Sequence, residues 1–227
     1  MFGSLYECHR LTPHNIGDKL KICQEFDSRI KVSSGKDLLS EPPIIITVNK
    51  FTEESALKFS LDFELAHKTG QRVIPIVIDS FGGGVYSLLS MVDTIMSSKL
   101  NVATIVMGKA MSCGSILLSC GKDGMRFASP NSTVMIHEAS MMTGGKVEEI
   151  KVDTAEVERL NKLIFSLMSR NCGKEETYFS KIVHDKSHAD WYLTAEEAKV
   201  HNLVNHIRLP EFKVKVNVDF EFDQKTA

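Results

Sequence analysis

The stretch VIPIVIDSFGGGVYSLLSMVDTIMSSKLNVATIVMGKAMSCG, residues 73–114, decides the architecture. Val73–Asp79 is an almost unbroken apolar run rich in β-branched residues, as a strand buried on both faces requires. Gly82-Gly83-Gly84 breaks it, residues 85–98 carry apolar side chains at helical spacing, and Val102–Met107 is a second buried run. Outward from this unit, Ile44–Val48 predicts a further strand and residues 53–69 a helix. Residues 112–120 predict a short apolar helix opening at Ser112. Arg126–Ala128 and Thr133–His137 predict two strands around a Ser-Pro-Asn turn. Strand and helix alternate at short intervals, so the fold class is α/β around a largely parallel sheet.

Composition narrows the function classes. A net charge of −2 gives no electrostatic case for nucleic acid or an anionic membrane. No run of about 18 apolar residues predicts a membrane span. The start, Met-Phe-Gly-Ser-Leu-Tyr-Glu-Cys-His-Arg, lacks the basic end and apolar stretch of a secretion signal, so the expected location is cytoplasmic. Cys8, Cys23, Cys113, Cys120 and Cys172 are an odd, scattered set without a CxxC pair. They fit a reducing interior better than a disulfide framework or a zinc site.

Three regions follow. Residues 1–42 are polar and irregular, ending in Ser-Glu-Pro-Pro, and read as an N-terminal appendage; residues 43–210 form the main domain; residues 211–227 form a C-terminal strand extension. Within the domain, apolar residues at helical spacing predict one long helix over about 147–171, ending at Cys172-Gly173. At roughly 1.5 Å per residue it is about 37 Å long, too long for a domain of this size to bury, so it is expected to protrude toward another subunit. Thr194-Ala-Glu-Glu197 is a capping box opening a further short helix. Phe212, Val214, Val216, Val218, Phe220 and Phe222 alternate strictly with polar residues, predicting a one-sided strand that covers its own sheet or pairs with a neighbouring chain.

Ser112 follows a buried strand and opens an apolar helix between Ala110 and Gly114, a place for an exposed hydroxyl or for an ordinary helix cap. His137 ends the strand Thr-Val-Met-Ile-His, where α/β folds gather catalytic groups, although a lone histidine there is more often a rim residue. Asp190 stands at the entrance to Trp-Tyr-Leu; Asp185 is its equal by composition. Together Ser112, His137 and a carboxylate would form a nucleophile, base and orienting acid. Gly82-Gly83-Gly84 lacks the spacing of a dinucleotide or phosphate loop, and its amides suit an oxyanion instead.

Taken together, these segments resemble the proteolytic subunits of the Clp protease family over about residues 44–207. The family's Ser-Pro-Gly-Gly-Ser turn corresponds to Ser80-Phe81-Gly82-Gly83-Gly84, and its Gly-x-Ala-x-Ser-x-Gly nucleophile segment to Gly108, Ala110, Ser112 and Gly114. Its Pro-Asn-Ser-x-Val-Met-Ile-His stretch is matched by Pro130 through His137. Its acid precedes a Phe-Leu-Ser-Ala-x-Glu-Ala run one residue later, which selects Asp190 over Asp185.

The resemblance implies a spiral of ββα units, shared with crotonases, with a protruding handle helix by which heptameric rings stack. It implies a serine endopeptidase acting on unfolded proteins or peptides, fed by an ATP-dependent unfoldase, with no metal or cofactor. Ser112, His137 and Asp190 become the expected catalytic set. The Gly83 and Cys113 amides become the oxyanion donors, and Gly82, Gly84, Met141 and Met142 the expected substrate contacts. Phe81 in place of proline and Met141-Met142 in place of glycines depart from the family pattern. The rival readings are a catalytically silent ring subunit and a crotonase-like acyl-CoA enzyme.

Overall fold

A computed structural model describes residues 43–211, together with the backbone of Glu25–Phe26 and Lys215–Val216. The elements are β1 (Glu25–Phe26), β2 (Ile46–Val48), α1 (Glu53–Lys68), β3 (Val73–Ser80), α2 (Val85–Met96), β4 (Asn101–Met111) and α3 (Cys113–Ser119). They continue through β5 (Arg126–Ala128), β6 (Thr133–Ile136), α4 (Val147–Asn171), α5 (Tyr178–Asp185), β7 (Trp191–Thr194), α6 (Ala195–Val200), β8 (His206–Ile207) and β9 (Lys215–Val216).

The continuous apolar runs become the centre of a seven-stranded sheet. Strands β2, β3, β4, β5 and β8 lie side by side, all parallel. Ile74, Ile76 and Ile78 of β3 and Val102 and Val106 of β4 are buried in the main core, against α1, α2 and α3. Val77, Ala103 and Ile105 meet Phe127 in a second cluster. Both sheet faces are thus covered, and each fully buried aliphatic side chain contributes about 1.5–3 kcal/mol.

β4 is the pivot. Its first half pairs with β5, Thr104 opposite Arg126; its last three residues pair instead with β6, Lys109 opposite Thr133 through Met111 opposite Met135. Between the halves, Ile78 and Ser80 of β3 stand opposite Val106 and Ala110, a register shift that gives β4 extra residues around Gly108. The sequence reading ended this strand at Met107. Its extension carries the chain to Ser112 beside β6, and β6 pairs in turn with antiparallel β7.

Several elements were not expected from the sequence, α5 and β7 among them. α5 occupies a charged segment and is held by Phe179 and Val183, both fully buried. β7 alternates buried Trp191 and Leu193 with exposed Tyr192 and Thr194. On α1, Ala56, Phe59, Phe63 and Ala66 face the core, while Leu57, Leu61 and Leu65 form an exposed stripe. The long helix spans 25 residues, and its C-terminal half packs through Leu160, Ile164, Phe165, Leu167 and Met168. Its first half is largely exposed, with Val147 and Val152 at 67% and 68%. Gly173 at φ 65° follows its end.

The alternating tail lies outside the described residues except at Lys215–Val216, whose backbone pairs in parallel with Glu25–Phe26 in a separate two-stranded sheet. No helix among the described residues is long and apolar enough to cross a membrane.

Candidate active site

Three neighbouring strands end at one place. Met111 pairs with Met135, and Ile136 with Trp191. Ser112 therefore follows the last paired residue of β4, His137 follows that of β6, and Asp190 precedes the first paired residue of antiparallel β7. The register alone puts His137 opposite Asp190, and His137 Nδ1 lies 3.3 Å from Asp190 Oδ1. His137 is the less exposed of the two side chains, 28% against 50%. Asp185 sits elsewhere, 3.8 Å from His184 and largely exposed. The structure thus brings Asp190, and not Asp185, to His137.

Ser112 has φ 53° and ψ −122°, a sparsely populated conformation for a residue with a Cβ. It is fixed from both sides: its N–H donates to Met135 O (2.9 Å), and its carbonyl accepts from Ser115 N (2.9 Å) and Ser115 Oγ (2.7 Å). Such a strand-to-helix turn holds a hydroxyl clear of the backbone. Among the described residues no direct hydrogen bond joins Ser112 Oγ to His137; such bonds often tighten only when substrate is bound.

The glycine turn packs against this hydroxyl. A Cβ on Gly82 would stand 2.6 Å from Ser112 Cβ and 3.1 Å from its Oγ, so glycine is required for the approach. Gly83, at φ 149°, has Phe51 O 2.5 Å from where its Cβ would be. Gly84 N–H donates to Phe51 O at 2.8 Å, anchoring the turn to the chain before α1. Cys113 completes the link: its thiol donates to Gly83 O at 3.2 Å. Burial pushes that thiol up to about 11, so it remains a donor at neutral pH and no rival nucleophile. Cys120 and Cys172 are pushed to about 12, burial being the main cause.

The expected substrate contacts are placed unevenly. Gly82 and Gly84 belong to the turn against Ser112. Met141 and Met142 stand on an irregular loop, not on a strand edge, and Met142 is fully exposed. That loop is tied to α4 through Ala139 N–H to Asn161 Oδ1 (2.7 Å) and through Thr143 to Asp153. Phe81 is 74% exposed, with Lys109 Nζ 4.2 Å from its ring centre. Lys109 also reaches Asp79 at 2.7 Å, so the residues flanking the turn form their own surface cluster. Among the described residues no group of three or more His, Cys, Asp or Glu is arranged to hold a metal.

Comparison with known proteins bears on this geometry. Residues 30–210 match the family described as Clp protease. The ATP-dependent Clp protease proteolytic subunit 2 of Mycobacterium leprae is 33% identical over 138 residues, 60% of this chain and 63% of that protein. The proteins of the same name from Mycobacterium bovis and Mycobacterium tuberculosis are 32% identical over the same coverage. The chain thus spans less than two thirds of the length of these curated relatives.

Proposed function

Since the chain belongs to the Clp protease family, we propose that it is a serine endopeptidase using Ser112, His137 and Asp190. The observation that carries this reading is the shared end of β4, β6 and β7, where register sets His137 opposite Asp190 beside the strained Ser112.

Ser112 Oγ attacks the scissile carbonyl carbon while His137 takes its proton, and Asp190 orients the imidazole and stabilises its protonated form. The tetrahedral oxyanion is held by the Gly83 and Cys113 amides, which the Cys113 thiol keeps in one unit. His137 then protonates the leaving amine, and water hydrolyses the acyl-enzyme by the same steps reversed. Gly82 and Gly84 leave room for a peptide backbone, and Met141 and Met142 offer apolar contact from the loop after His137.

The polypeptide is reached inside a ring assembly stacked through the exposed half of α4, with an ATP-dependent unfoldase as partner. These readings rest on family resemblance and on the unpartnered apolar residues of α4.

Peptide hydrolysis by three variants tests the proposal. Ser112→Ala should abolish it. Asp190→Asn should lower kcat by about ten-thousandfold, and Asp185→Asn should leave it unchanged. Full activity in Ser112→Ala, or equal losses in the two aspartate variants, would refute the assignment. The missing Ser112–His137 bond is what a silent ring subunit would keep permanently. In that case neither substrate nor ring assembly would restore turnover.

A further inference from the structure

A second histidine–carboxylate pair lies beside His137–Asp190. His188 Nδ1 is 2.9 Å from Glu138 Oε2. Both pairs join the same two segments in opposite senses: one supplies His137 and then Glu138, the other His188 and then Asp190. The peptidase steps leave Glu138 and His188 without a role.

Their position bears on the acid. The chain arrives at Asp190 through Ser187 and His188, at φ 58° and 59°. Consecutive non-glycine residues in the left-handed region are unusual, because that conformation is normally visited singly. On the α5 side the turn is held by backbone bonds: Ser187 N–H to His184 O (2.9 Å), His188 N–H to Val183 O (3.0 Å) and Ala189 N–H to Lys186 O (3.2 Å). Toward β6, Glu138 grips the apex of the turn by its side chain. The His137–Asp190 contact itself, at 3.3 Å, is longer than the usual charge-assisted bond, so a small rotation of the turn would part it.

We propose that Glu138 and His188 form a clamp holding Asp190 against His137. Both are positioning residues, and the inference rests on reading Ser112, His137 and Asp190 as the catalytic set. The neighbouring charged and titratable groups are His184, Asp185 and Lys186. His184 meets His188 edge-on at 5.1 Å and lies beside Asp185, and Lys186 sits 5.5 Å over the Trp191 ring. Asp190 faces His137, so Glu138 is the carboxylate that holds His188.

Steady-state peptide hydrolysis by the full chain tests the clamp. His188→Ala and Glu138→Gln should each lower kcat about tenfold with KM unchanged, and the double variant should be no worse than either. His188→Asn, whose amide can donate to the same carboxylate, should regain most of the loss. The clamp is overturned if His188→Ala keeps full kcat, if the two losses multiply, or if His188→Asn recovers nothing. Failure of the catalytic reading is distinguishable, because Ser112→Ala would then match the unaltered chain. In that event the downfield His137 Nδ1 proton resonance decides: His188→Ala should weaken it and His188→Asn preserve it, and an unchanged resonance rejects the clamp.

Discussion

Gly83 shows how little room the site leaves. Any side chain there meets the Phe51 carbonyl at 2.5 Å, and the φ of 149° is strained for any residue with a Cβ. The Phe51 backbone is fixed by its bond from Gly84, so the turn must give way. Gly83→Ala is therefore expected to lower kcat/KM about a hundredfold, the usual effect of losing one oxyanion donor, while the chain still melts cooperatively. Wild-type kcat/KM in this variant would remove Gly83 from the site. At this scale the sequence was informative about identity and silent about connection. Ser112 and His137 stood out by their flanks, but Asp190 could be told from Asp185 only by family resemblance. The reason is physical: the choice depends on β6 pairing with β7, and β7 is four residues long.

Among the elements, the strands with continuous Val and Ile runs and the 25-residue helix were legible because their patterns are long. α5 was not: only Phe179 and Val183 of its eight residues are buried, and charged residues surround them. The residues packed around α5 carry a pH dependence. His201, just past α6, accepts or donates a bond with Tyr178 Oη (2.9 Å) and meets the Trp191 ring edge-on at 4.8 Å. Burial, and then the Lys174 and Lys186 charges, lower its pKa below the ordinary 6.5. The unfolded chain thus binds this proton more readily than the folded one, so stability is full above 6.5 and falls as pH drops toward the folded value. Thermal melts should show Tm falling between pH 7.5 and 5.5, with a smaller fall in His201→Gln. An unchanged pH slope in that variant would assign the effect to other groups.

The whole molecule presents apolar surface that a lone domain of this kind rarely leaves open. Val147 and Val152 on α4 and the Leu57, Leu61 and Leu65 stripe on α1 are exposed together with Ile150 at 37%. None of this was legible at the sequence level beyond the helix's excess length, since an amphipathic pattern does not say whether its partner is the same chain. Under the proposed assembly, Ile150→Asp with Val152→Asp should keep the Tm, as surface changes usually do, and halve the native particle mass. Unchanged mass would place any ring-stacking surface elsewhere. The central claim, that Ser112 is a nucleophile activated at the common end of three strands, is tested most directly by reaction with a fluorophosphonate followed by intact mass and peptide mapping. The account predicts a single adduct per chain, on Ser112, that disappears in His137→Ala; an unmodified chain in the assembled particle, or an adduct on another residue, would contradict it.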